Sequence, residues 1–166
     1  MAHTLEQFAG ACHRILKADP GPGGRQKVAA LLQEVLHDDA FIATHLEDNV
    51  PERKILYEDP ELGFCILAHV YRGARETPPH DHGPSWAIYG QARGETEMTD
   101  WALVEPARPD QPGKVRRVKT YALTPGMAHV YNEGELHSPR RHGPTRLIRF
   151  EGMNLEKVRR LAYEPV

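Results

Sequence analysis

A mainly β barrel with an N-terminal pair of helices is the fold that this sequence predicts, and three observations lead to it. Apolar residues recur at helical spacing through the first fifty positions, and from about Pro51 the period shortens to two. Eight short strand-like runs then follow at regular intervals, separated by turns rich in Gly and Pro. No helical stretch comes between them, which argues against a parallel sheet with crossover helices and for an antiparallel jelly roll or barrel.

Thr4 is placed to cap a first helix whose apolar side is Leu5, Phe8, Ala9, Cys12, Ile15 and Leu16. The run Asp19-Pro20-Gly21-Pro22-Gly23-Gly24 breaks it. A second helix presents Val28, Leu31, Leu32, Val35 and Leu36 as a stripe, with Arg25, Gln26, Lys27, Gln33 and Glu34 on its wet side. A stripe of that kind needs a body to pack on, so residues 1–48 read as a helical cap on a barrel spanning 51–152, with a helical turn expected over 38–46. Predicted strands cover 53–57, 63–71, 85–91, 95–103, 115–123, 127–131, 135–138 and 145–150. Within the final segment, 153–166, a helical turn is expected over 154–163 that places Leu155, Val158 and Leu161 or Ala162 on one side.

The 166 residues, 40% hydrophobic with a net charge of −2, describe a single soluble globular domain. Twenty-one basic residues against 23 acidic ones give no general nucleic-acid surface. Lys114, Arg116, Arg117 and Lys119 read as charges on a solvated strand that discourages edge pairing. No apolar run is long enough to cross a bilayer, and the first residues lack the basic-then-apolar pattern of a signal peptide, so the expected location is cytoplasmic with no membrane partner. Cys12 and Cys65 are too few for a disulfide framework, form no CxxC pair and lie in apolar settings. Ser85 and Ser138 neighbour histidines, but no nucleophile elbow surrounds them. Trp86 and Ile88 read as core, and Trp101 as core or sheet face.

The ten histidines stand out. His80 and His82 are separated by one residue just before a strand. On extended backbone such residues share a face, so both imidazoles point one way and Asp81 the other. Two imidazoles on one face can chelate one metal ion, and a third ligand must come from elsewhere. His129 lies inside the 127–131 strand, after the Pro125-Gly126 turn, and His137 lies beyond Gly134 on the next strand. Either can face the barrel. His142 precedes a Gly-Pro turn and reads as exposed.

With His80-Asp81-His82, the Gly90–Gly94 turn region and Gly134-Glu135-Leu136-His137-Ser138 in view, residues 53–152 resemble the cupin superfamily, and within it the cysteine dioxygenase-type thiol dioxygenases. The resemblance implies a cupin double-stranded β-helix, a jelly-roll barrel preceded by helices. It also implies a ferrous ion held by two histidines of an HxH and one downstream histidine at a strand start. On that pattern His80, His82 and His137 are the ligands, whereas the broader cupin motif P-G-x-x-H nominates His129. Cupins often pair through sheet edges, so a homodimer is one state the resemblance allows.

Many cupins carry a glutamate soon after the HxH, but Gly83, Pro84, Ser85, Trp86 and Ala87 supply no carboxylate. Three neutral imidazoles leave a divalent ion its full charge, which favours an anionic ligand such as a thiolate or carboxylate together with dioxygen or water. Fe(II) fits the resemblance, and Zn, Ni or Mn fit the same ligands. The expected partners are a small thiol-bearing acid and O2. Arg53 is the candidate carboxylate clamp, and Arg72 and Arg75 approach the HxH from the preceding loop.

The sequence departs from the dioxygenase pattern on the strand after the third ligand. Where the family alternates serine, histidine and tyrosine, this chain has Arg146, Ile148 and Phe150. Ile148 and Phe150 are expected to make that interior wall apolar, leaving Tyr89, His129 or Tyr131 as candidate catalytic partners. Two alternatives follow: a non-catalytic cupin that binds a metal or small ligand, and a zinc or manganese cupin with isomerase or hydrolytic activity in which His129 is the acid or base.

Overall fold

The structure is a computed structural model that describes residues 3–166, so Met1 and Ala2 of the expected cap lie outside the described residues. Helix α1 (Leu5–Ala18) begins on a full capping box, in which Thr4 Oγ1 accepts from Gln7 N at 3.1 Å and Gln7 Oε1 accepts from Thr4 N at 3.2 Å. Helix α2 (Pro22–Leu36) places its proline in the first turn, where the missing N–H costs nothing. Helix α3 (Asp39–His45) is capped by the Asp38 side chain, which accepts from Phe41 N.

The strands are β1 (Lys54–Glu58), β2 (Cys65–Tyr71), β3 (Arg75–Glu76), β4 (Ala87–Arg93), β5 (Thr96–Glu105), β6 (Gly113–Leu123), β7 (Ala128–Tyr131), β8 (Leu136–Arg141), β9 (Thr145–Glu151) and β10 (Tyr163–Pro165). They form two sheets, ordered β1-β2-β9-β4-β7 and β10-β6-β5-β8-β3. With β1 and β10 set aside, each sheet draws alternately on the two halves of the barrel chain, β2-β9-β4-β7 facing β6-β5-β8-β3. That is the jelly-roll order of the cupin double-stranded β-helix.

All eight predicted strands are present, and the short β3 and β10 were not predicted. The expected helical turn at the end of the chain is confined to a 3₁₀ turn over Leu155–Lys157. Beyond it the chain extends, and β10 pairs in parallel with β6 from Tyr163↔Gly113 to Pro165↔Val115. Gly113 permits this, since a Cβ there would meet the Tyr163 ring at 2.7 Å.

The first sheet is buried on both faces. Ile66, Ala68 and Val70 of β2, Ile88 of β4, Val130 of β7, and Ile148 and Phe150 of β9 join the apolar sides of all three helices in one cluster outside the barrel. The Phe8 ring meets Phe150 edge-on, with centroids 5.7 Å apart. At Gly90 the approach is so close that a Cβ would lie 2.7 Å from Leu32 Cδ2 and 2.9 Å from the Ile148 carbonyl oxygen. The expected direction of β9 is therefore corrected: Ile148 and Phe150 face the helices. The apolar helix stripes require an apolar sheet face, and these residues provide it.

Leu147, Arg149 and Glu151 point into the barrel instead, in register with His69, Leu67 and Cys65 of β2 and with Gln91, Tyr89 and Ala87 of β4. The barrel's own apolar cluster is small, comprising Ala87, Tyr89, Met98, Leu123 and Tyr131. Arg25 is a second correction. Expected on the wet side of α2, it is buried, forked on Glu133 at 2.5 and 3.0 Å and lying over the Trp86 ring.

Candidate metal centre

Two backbone devices bring the histidines together. His80 and His137 exchange both backbone hydrogen bonds, each at 3.0 Å, which staples the loop before β4 to the start of β8. Gly83 at φ 61° turns the chain immediately after His82, a conformation that glycine adopts without strain. Asp81 points away as expected, its carboxylate accepting from Gly83 N and from the Tyr163 hydroxyl.

His80, His82 and His137 each present a ring nitrogen within 4.8 Å of the others. His80 Nδ1 lies 2.9 Å from the Pro78 carbonyl oxygen, and His137 Nδ1 lies 2.9 Å from that of Glu135. A carbonyl oxygen only accepts, so both Nδ1 atoms carry the hydrogen and both Nε2 atoms present lone pairs. Burial, reinforced by Arg149, Arg160 and Arg141, pushes His80 down to about 4. His82 is held well below the ordinary value by burial and then by Arg149, and His137 by burial and then by His80. His82 Nε2 faces His137 Nε2 at 2.9 Å. Neutral imidazoles with facing ring nitrogens fit one divalent cation.

Tyr89 stands beside this group, its hydroxyl 3.4 Å from His137 Nε2, and Tyr131 stacks on the His137 ring with centroids 4.0 Å apart. His129 also faces the barrel interior, opposite Tyr89, but its ring is stacked between Tyr121 and Tyr131 and is not one of the three convergent histidines. The Tyr121 and Tyr131 hydroxyls are 2.6 Å apart, and Tyr121 donates to Asp100.

A cavity of about 520 Å³ opens beside His80 and is walled by Tyr71, Tyr89, Pro139, Arg141 and Arg149. Arg53 reaches the same cavity. Its guanidinium is forked on the fully buried Glu151 at 2.6 and 2.9 Å, with further bonds to Glu156 at 3.1 Å and Asn154 at 3.2 Å. Burial alone would raise the Glu151 carboxyl, but the Arg53 hydrogen bonds and the Arg149 charge bring it below the usual carboxylate range. Arg75 lines the cavity and pairs with Glu52, whereas Arg72 holds the Val50 carbonyl at 2.7 Å and lies outside the cavity wall. Of the tryptophans, Trp86 belongs to the apolar cluster and Trp101 donates to Ser138 Oγ at 2.8 Å.

Sequence reasoning did not single out His69, Tyr71, Arg141, Arg149 or Glu151 for the cavity. The available signal was their alternation with the apolar residues of β2 and β9 and, for Arg141, the period of two that it shares with His137 on β8.

The sequence matches no protein-family model and no curated protein. Among solved structures it is similar to a cupin superfamily protein from Desulfitobacterium hafniense, with 11% identity, 65% of this chain and 82% of that chain covered, and a TM-score of 0.45. The cupin domain of Schizosaccharomyces pombe Cnp3 gives 13%, 63%, 62% and 0.47. A Klebsiella pneumoniae protein with a double-stranded β-helix domain gives 13%, 71%, 89% and 0.46. At these values it is the strand order of the two sheets that identifies the fold.

Proposed function

We propose that the chain is a mononuclear metal-binding cupin in which His80, His82 and His137 hold one divalent ion, and that with ferrous iron it oxidises a small thiol-bearing acid with dioxygen. The observation that carries this reading is the convergence of three neutral imidazoles, two of them locked by carbonyls into the metal-binding tautomer, beside a cavity lined with arginines. When bound, the iron would supply the oxygen-activating chemistry that carries a thiol to a sulfinate.

The chain's own residues do the rest. Because the three ligands bring no negative charge, the site favours a thiolate over a neutral ligand. Tyr89 places a hydroxyl where it can hydrogen-bond to a group next to His137. Pro79, Pro139, Leu155 and Leu161 supply apolar wall that limits water. Arg53 would serve as the carboxylate anchor by exchanging its exposed partner Glu156 for substrate, since Glu151 holds the fork of its guanidinium. His129 stacks between Tyr121 and Tyr131 and is not among the three convergent histidines, which supports iron held by His80, His82 and His137 over a zinc or manganese reading with His129 as acid or base.

The test is ferrous loading under anaerobic conditions followed by oxygen uptake with cysteine, 3-mercaptopropionate and cysteamine, with sulfinate detection. The expected result is one iron per chain, lost in His80→Ala, His82→Ala and His137→Ala and kept in His129→Ala, with thiol-dependent uptake. Loss of metal only in the His129 variant would overturn the ligand set. An iron-loaded protein that shows no thiol-dependent uptake would end the dioxygenase reading.

A further inference from the structure

The charges deep in the cavity do not balance. Three guanidiniums, those of Arg53, Arg141 and Arg149, stand against one fully buried carboxylate, Glu151, which pairs with only two of them. Both Glu151 oxygens are already engaged: Oε1 accepts from Arg53 and from Leu155 N at 3.0 Å, and Oε2 accepts from Arg53 and lies 3.3 Å from Arg149.

Arg141 is left over. It is 4% exposed, lies on the interior face of β8 two alternations past His137, and rests its guanidinium over the Tyr71 ring at 4.6 Å. Among the described residues its side chain forms no ion pair and no hydrogen bond, and its Nε is buried without a partner. Arg149, on the same cavity wall as Arg141, lies over the Tyr89 ring at 5.0 Å, with NH2 3.5 Å from His82 Nδ1 and its own Nε unpartnered. A buried cation without a counter-charge is costly, and two that repel each other more so; an anion between them removes both penalties.

The same wall carries an orphan acceptor. His69 Nδ1 donates to the Glu52 carbonyl at 2.8 Å, which leaves Nε2 with a lone pair, buried and unpartnered at the cavity. An arginine cannot be satisfied by another arginine, nor an acceptor by an anion. A ligand with a carboxylate and an adjacent N–H or O–H satisfies both.

We propose that Arg141 and Arg149, with His69 beside them, form a subsite for a small carboxylate that bears a hydroxyl or amino group next to its carboxyl group. It rests on the reading above for the cavity as the substrate site, and it names what that substrate carries at the end remote from the metal. It adds Arg141 and Arg149 as anion contacts beside Arg53, whose guanidinium is already forked on Glu151. A planar carboxylate takes two parallel bonds from such a fork.

The experiment uses the full chain stripped of metal, titrated calorimetrically with lactate, propionate and propan-1-ol. Lactate is expected to bind, propionate several-fold more weakly and propan-1-ol undetectably. Arg141→Met is expected to weaken lactate at least about tenfold, in line with losing a charged hydrogen bond. His69→Leu should reduce lactate to the level of propionate. Arg141→Met should keep or raise the thermal midpoint, because it removes an unpaired buried charge.

Equal lactate affinity in Arg141→Met and the parent protein would overturn the proposal, as would parent protein that binds lactate no better than propan-1-ol. Should Arg141→Met fail to fold, the Arg141 Nε resonance, assigned by its loss in Arg141→Lys, decides: it must shift with lactate, and an unmoved signal refutes the subsite. Iron uptake separates the two readings. Lactate binding through Arg141 in a chain that takes up no iron sinks the metal centre and leaves the subsite standing, and intact iron binding without lactate binding does the reverse.

Discussion

Glu151 shows how much can hang on one side chain. It is fully buried and answers two arginines and a backbone N–H at once. Replacing it with Gln keeps the shape and removes the charge, which leaves Arg53 and Arg149 without their common counter-ion. Removing one partner of a buried pair costs about 3–5 kcal/mol, so Glu151→Gln should lower the urea unfolding free energy by about 3 kcal/mol. Adding Arg53→Met should restore part of that loss. A double variant no more stable than the single one would show that the two side chains are not energetically coupled. Arg53 itself was legible in the sequence as a residue of this region, but its partner was not, because 98 positions of chain separate the arginine before β1 from the carboxylate that neutralises it.

Among the elements, β9 decides how far sequence reading can go. Its boundaries and its period of two were both legible, as were those of seven other strands, because each is a short alternating run closed by Gly or Pro. The direction of the alternation was not. Assigning the apolar set to the barrel interior follows the usual rule, but here the helices claim that set and the interior keeps the polar one. The stripe on α2, Val28, Leu32, Val35 and Leu36, was visible from the start and already implied a second apolar surface on the barrel. His80 and His82 escaped the difficulty because a spacing of two places them together whichever side they face.

The contact between α2 and β4 tests this two-faced arrangement. Gly90→Ala puts a methyl group against Leu32 and the Ile148 carbonyl, and is expected to cost about 1–3 kcal/mol by overpacking. Iron uptake should be unchanged, since Gly90 faces away from the histidines. Loss of metal binding in a folded Gly90→Ala protein would show that the two faces are not independent.

At the scale of the whole molecule the histidines set a pH dependence. His69, His80, His82 and His137 all have pKa values below that of an exposed histidine, with burial the first cause in each. As pH falls through about 6.5 the unfolded chain takes up protons at these sites and the native chain does not. Metal-free protein should therefore be most stable above that pH and lose stability as pH falls, by about 1.4 kcal/mol per pH unit for each such histidine. For His80 the loss levels off near 4, where the native ring also protonates. Urea midpoints between pH 7.5 and 5.5 measure this, and His69→Gln should reduce the slope. A midpoint that does not move over that range would mean that the rings take up protons alike in the folded and the unfolded chain.

The placement of the larger apolar cluster outside the barrel, between the first sheet and the helices, also bears on how such a protein can change over evolutionary time. Stability and chemistry occupy alternate positions of the same strands. Odd-numbered residues of β9 can drift, acquiring or losing ligand contacts, while even-numbered ones keep the scaffold above its folding threshold. New specificities then become accessible by single substitutions with little risk to the fold. A library randomised at Leu147 and Arg149 should yield more folded members than one randomised at Ile148 and Phe150.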